Sequence, residues 1–177
     1  MIFKPLPLSG AYVIEIEKFE DIRGFFGRAW SDREFEEKSL FGKFAEANVS
    51  FSKKKGTLRG MHFQRAPHEQ IKLVRCTAGA IYDVIIDLRP DSPTYKKYSG
   101  VELSAENRLM LYAPGEFAHG FQTLQPNTEV FYMVSKYYAP ESADGVRWDD
   151  PAFNIEWPEE SERTILPRDL SYPPFVG

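Results

Sequence analysis

The chain has 177 residues, enough to bury one sizeable core, and a single domain over 1–177 is expected. A formal net charge of -4 argues against non-specific nucleic-acid binding, while leaving room for a local Arg and Lys cluster that takes an anionic small ligand. Cys76 is the single cysteine, which rules out an internal disulfide and fits a reducing compartment.

The first segment, MIFKPLPLSGAYVIEIEKFED, carries prolines and acids where a signal peptide needs a long apolar stretch. No run approaches the roughly 18 apolar residues of a membrane helix, so a cytoplasmic protein without membrane association is expected. AYVIEIEKF (11–19) alternates apolar and polar residues and predicts a strand, followed by the aromatic run RGFFGRAW (23–30). SDREFEEKSLFG (31–42) predicts a short superficial helix. Ser31 and Asp32 can cap it, Glu34 stands at capping-box spacing from Ser31, and Gly42 can close it.

From 44 to 138 the signals are almost all strands. FAEANVSFS, TLRGMHFQ, IKLVRCTA, AIYDVIIDLR, YKKYSGVELS, RLMLYAP, AHGFQTLQ and EVFYMVSKYYA are separated by Gly, Pro, Asn and charged turns. Many short strands at this spacing predict an all-β sandwich or closed barrel. An aromatic fraction of 15% fits the same pleated, half-buried surfaces. Cys76 lies inside one such apolar run and reads as a buried strand residue rather than a nucleophile. The tail, 139–177, holds six prolines and is expected to wrap the surface as loops and short turns.

TLRGMHFQ, from Thr57 to Gln64, is the densest polar signal. Strict alternation puts Arg59 on one face and His62 on the other, unless Gly60 marks a bulge; the bulge is the expectation. A lone strand histidine is commonly a hydrogen-bonded core residue, but Arg59, Gln64, Lys72 and Arg75 crowd the same stretch and favour a site. PGEFAHGF, from Pro114, sets His119 between small residues and aromatics, as in a pocket wall. Tyr132 in EVFY is a third candidate, whose alternative is an ordinary half-buried strand tyrosine. The three histidines are His62, His68 and His119. A metal-binding barrel of this kind needs two His separated by one residue, and Gln64 stands at that second position. No metal or other cofactor is therefore expected, and a lone His with a Tyr and a Lys reads as general acid–base chemistry.

The ordered runs DIRGFF, NVSFS, KGTLRGMHFQ, QIKLVRC, DVIIDLRPDSPT, LSAEN, PGEFAHGF and IEWP resemble the dTDP-4-dehydrorhamnose 3,5-epimerase family over nearly the whole chain. The resemblance implies a metal-free, cupin-type jelly-roll barrel with short peripheral helices, usually a homodimer, that acts on a nucleotide-diphospho-sugar. It implies that His62 removes the proton beside the C4 ketone, with Asp169 of LPRD as its carboxylate partner. Tyr132 becomes the acid, and Lys72 sits near the sugar ketone. Arg23 and Arg59 match arginines that contact substrate and phosphate, His119 a sugar-side contact and Tyr138 a stacking aromatic. Glu46 and Asn48 fall where the nucleotide base is held, and Arg168 joins the substrate-binding set. The chain departs from the family in having Glu46 where Gln is frequent, Arg28 where many members carry an acid, and Ala143 where an acidic contact is expected. A proton alpha to a ketone needs a base that works near neutral pH, the enolate oxygen needs a cation, and a diphosphate needs a bidentate one; His, Lys and Arg supply these in turn.

Overall fold

A computed structural model describes residues 1–177. The strands run in chain order as β1 (Ile2–Pro5), β2 (Tyr12–Glu15), β3 (Phe19–Asp21) and β4 (Gly24–Phe26), followed by helix α1 (Asp32–Glu37). Then come β5 (Glu46–Ser52), β6 (Thr57–Gln64), β7 (Lys72–Ala78), β8 (Ala80–Asp87), β9 (Tyr98–Ser104), β10 (Met110–Ala113), β11 (Phe117–Thr123) and β12 (Thr128–Val134). β13 (Ala143–Gly145), β14 (Thr164–Ile165) and α2 (Pro167–Leu170) complete the chain. One sheet has the order β1-β2-β10-β7-β12-β5. The other has the order β13-β6-β11-β8-β9, with β14 added alongside β6. All pairings are antiparallel except β14 with β6. This is the expected all-β, cupin-type jelly roll with two short helices.

The two sheets face each other across a shared core. Val74, Cys76, Leu111 and Val130 of the first meet Ile81, Ile85, Leu103, Phe117 and Phe121 of the second. Cys76 is buried here, as a strand residue should be. The outer face of β8 is covered as well, because Val84 and Ile86 pack with Met61 of β6 and with Val146 and Phe153 of the tail region. With both faces buried, β8 loses the apolar–polar alternation of a half-exposed strand. Its two acids, Asp83 and Asp87, are consequently fully buried. On the other side, Phe35 of α1 is fully buried against Ile14, Met110 and Tyr112. Burial of that ring stabilises the helix's seat by about 2 kcal/mol.

Several expectations change. The 11–19 run is not one strand; it breaks after Glu15 and resumes as β3, which forms a hairpin with β4. No capping box forms at α1, because Ser31 makes no side-chain cap bond and Glu34 accepts from the Met1 ammonium and from Arg28, both at 2.7 Å. Nor does Gly42 close the helix. It ends at Glu37, with Ser39 taking the left-handed conformation at φ 57°. The tail is more than loops: it adds β13 and β14 to β6 and forms α2.

The bulge at Gly60 forms. His62 pairs with His119 and Arg59 pairs with Phe121, so three steps on β6 oppose two on β11. Gly60 has φ +134°, and a Cβ there would lie 2.5 Å from Gly120 Cα and 3.1 Å from His119 O. Only glycine allows that backbone and that approach. Gly60→Ala is therefore expected to destabilise by about 3 kcal/mol or more and to remove activity even in the fraction that folds, read by thermal unfolding beside an exchange assay.

Candidate active site

The bulge has a direct consequence for the site. It turns Arg59 and His62, separated by strict alternation, onto one cavity of about 190 Å³. β6 and β11 contribute Arg59, His62, His119 and Phe121 to its lining; the facing sheet contributes Lys72 of β7, Tyr132 of β12 and Ser50 of β5. Leu166 and Asp169 close it from the tail. A second chamber of about 150 Å³ shares His62, Lys72 and Tyr132, and extends to Gln70, Tyr138, Asp144 and Arg168.

His62 Nε2 lies 2.7 Å from Asp169 Oδ1. The other Asp169 oxygen, Oδ2, accepts the Gly60 N–H at 3.2 Å, so the bulge also orients the carboxylate. Asp169 is 2% exposed. Burial acts to raise its carboxyl, but the hydrogen bond and charge of His62, the Gly60 N–H and Arg168 overcome this and hold it below the usual carboxylate range. An ionised carboxylate only accepts, so His62 carries its proton on Nε2 and leaves the Nδ1 lone pair free.

Lys72 is 8% exposed and donates to the His62 carbonyl at 3.2 Å. Burial pushes its ammonium down to about 8, against the opposing charge of Asp83. Burial likewise raises the Tyr132 phenol, with Arg59 opposing and Glu46 reinforcing the shift. His119 Nε2 lies 2.7 Å from Asp83 Oδ1, a second buried His–Asp pair beside the first. Asp83 was not singled out in the sequence. An acid in the middle of the apolar run AIYDVIID was the available signal, since a buried charge needs a partner. Ser50, Phe121, Leu166 and Gln70 also line the cavities with no individual signal in the sequence, while Ala143, at the place where an acidic contact is expected, lines the second chamber together with its acidic neighbour Asp144.

The predicted residues are therefore mostly together. His62, Asp169, Lys72, Tyr132, Arg59 and His119 share the first cavity, and Tyr138 and Arg168 line the second. Asn48 stands opposite Tyr132 in the β5–β12 register and Glu46 opposite Val134, which extends the row from Ser50 beyond the cavity wall. Arg23 is not brought in. It sits on the β3–β4 turn, paired with Asp21 and largely exposed. His68, the third histidine, is not brought in either; it lies 3.8 Å from Glu141.

The arrangement offers a base with a free lone pair, a buried cation, a protonated phenol on the sheet opposite the base, and an arginine in the cavity lining. Residues 5–176 match the family model described as dTDP-4-dehydrorhamnose 3,5-epimerase. The chain is 41% identical to the dTDP-4-dehydrorhamnose 3,5-epimerase of Sinorhizobium fredii, across 98% of this chain and 89% of that one. Its fold superposes on the crystal structure of the dTDP-4-dehydrorhamnose 3,5-epimerase from Elizabethkingia anophelis with a TM-score of 0.96, at 40% identity, covering 99% and 96% of the two chains. The enzyme of the same name from Bacillus anthracis, solved with TDP and PPi bound, matches with a TM-score of 0.93 at 41% identity, covering 98% and 99%. Joined to a cavity in which every predicted acid–base residue meets, these matches mean that the chain belongs to the dTDP-4-dehydrorhamnose 3,5-epimerase family.

Proposed function

We propose that the chain epimerises C3 and C5 of dTDP-4-dehydro-6-deoxy-D-glucose to give dTDP-4-dehydro-L-rhamnose, by proton transfer between His62 and Tyr132. The observation that carries this reading is that His62 and Tyr132 enter one cavity from facing sheets. Inverting a carbon beside a ketone requires a proton to leave one face of the sugar and another to arrive on the opposite face. His62 Nδ1 takes the proton, and Asp169 stabilises the imidazolium that forms. The electron pair moves to the C4 oxygen, whose negative charge Lys72 offsets. Tyr132, kept protonated by burial, returns a proton to the carbon from the other side. Solvent then restores both groups, and the cycle repeats at the second carbon. Arg59 holds the diphosphate, His119 with Asp83 contacts the sugar, and Tyr138, Arg168, Glu46 and Asn48 contact the rest of the substrate.

No helix is long and apolar enough to cross a membrane. The enzyme works in the cytoplasm as a homodimer of single-domain chains and needs no cofactor. The exposed Phe19, Ile22, Phe25 and Phe26 of the hairpin, with Val49 and Phe51 on β5, support the dimer, because apolar groups so numerous gain by being covered. Sedimentation of the purified protein tests it: a species of one chain's mass at micromolar concentration would overturn the dimer.

The reaction is tested by incubating the protein with the dTDP-linked 4-keto sugar in D2O and reading C3 and C5 by NMR. Deuterium at both carbons is the expected result, and deuterium at one reassigns the chain to single-site epimerisation. With Tyr132→Phe, exchange should stay within about tenfold of wild type while inverted product falls by about 10²-fold, since the base is intact and the acid is gone. Equal losses in exchange and inversion would remove Tyr132 from the acid role.

A further inference from the structure

The Asp169 hydrogen bond fixes one point of the His62 ring, which leaves the direction of the free Nδ1 lone pair to whatever packs beside that ring. The group that packs there is Tyr172, with ring centroids 6.2 Å apart and planes at 67°. Tyr172 lines neither cavity, so it stands behind the base rather than in the reaction space. We propose that Tyr172 is a positioning residue that holds the His62 imidazole, and with it the attacking nitrogen, in line with the substrate. The proposal rests on His62 being the base.

Three features fix Tyr172 itself. Gly145 of β13 pairs directly with His62, and a Cβ there would fall 2.3 Å from Tyr172 Cζ and 2.6 Å from Met61 O. The missing side chain is the seat in which the tyrosine ring lies alongside His62. The Tyr172 hydroxyl accepts from Arg168 Nε at 3.2 Å, tying the ring to the helical turn that carries Asp169. Beyond it, the chain is anchored where the Phe175 N–H donates to Asp150 Oδ2 at 2.7 Å and the Phe175 ring meets Phe153 at 5.0 Å. Asp150 is 3% exposed, so this anchor is sheltered from water. One short segment thus supplies both the carboxylate that binds Nε2 and the ring that blocks the imidazole from swinging. Positional errors near 1 Å at a base are costly, which is why such a support acts on rate.

The test compares Tyr172→Ala with Tyr172→Phe in the full-length protein. Tyr172→Ala should lower kcat by about 10- to 100-fold with KM within about twofold. Its His62 ring nitrogen and carbon NMR signals should broaden or move away from the single Nε2–H form. Tyr172→Phe keeps the ring and loses only the Arg168 contact, so it should restore both the rate and the sharp signals. A Tyr172→Ala enzyme with wild-type kcat, or one that is slow while its His62 signals match wild type, overturns the proposal. If wild type shows no exchange with the 4-keto sugar yet Tyr172→Ala alters the His62 signals, the positioning role stands and the reaction assignment falls.

Discussion

His62→Ala is expected to lower proton exchange at both C3 and C5 by about 10³-fold or more. Both carbons flank one ketone, so a single base serves both. His119 is the other histidine in the cavity and binds Asp83 through Nε2 as His62 binds Asp169, but its side chain is only 10% exposed against 34% for His62. It is not placed to take over. The loss should appear in kcat with little change in KM, because Arg59 and the second chamber still hold the substrate. Asp169→Asn is the companion test. The amide is the same shape, but it can donate to Nε2 and so invert the tautomer, moving the proton onto the nitrogen that should attack. A loss on the order of 10²- to 10⁴-fold is expected from that exchange of roles alone. His62→Ala retaining exchange at either carbon within tenfold of wild type would place the base elsewhere.

The sheets were legible in the sequence because their residues obey a local rule. Each of the eight strand-like runs between 44 and 138 matches one observed strand, since alternation and turn chemistry are written within a few residues. The Gly60 bulge was legible for a different reason: two polar residues of one cluster fell on opposite faces, and one glycine stood between them. The failures share a cause as well. The capping box at Ser31 failed because Glu34 found two cations outside the helix, the Met1 ammonium 33 residues away and Arg28 six residues before it. The 11–19 run broke because β2 need only span the width of β10 beside it. The tail's strands and helical turn are short, and what sets them is the edge of β6, which no local pattern in a proline-rich segment encodes. The same distinction runs through the site. His62, Lys72 and Tyr132 lie on strands whose patterns place them, whereas Asp169 reaches His62 across 107 residues and was found by resemblance alone. Asp83 was detectable as a charge in an apolar run and His119 as a pocket residue, but their pairing was not, because β8 and β11 meet only through the fold.

The second large effect concerns Lys72. Lys72→Met should lower kcat by about 10²- to 10³-fold, the scale of removing one donor from a developing oxyanion in a sheltered site. Methionine keeps the length and the apolar contacts of the stem, so the change isolates the ammonium. The pH dependence identifies that charge. Burial lowers the Lys72 pKa to about 8, which means the cation is present below that value and is lost as pH rises through it. Activity governed by Lys72 should therefore fall on the alkaline side near pH 8 in kcat/KM, which reports the free enzyme. In kcat the same limb should lie higher, because the diphosphate charge of the bound substrate favours the protonated lysine in the enzyme–substrate complex. Residual activity of Lys72→Met should lack the limb in both profiles. An unchanged alkaline limb in Lys72→Met would assign it to another group, and a wild-type kcat would leave the enolate oxygen to be stabilised without this cation.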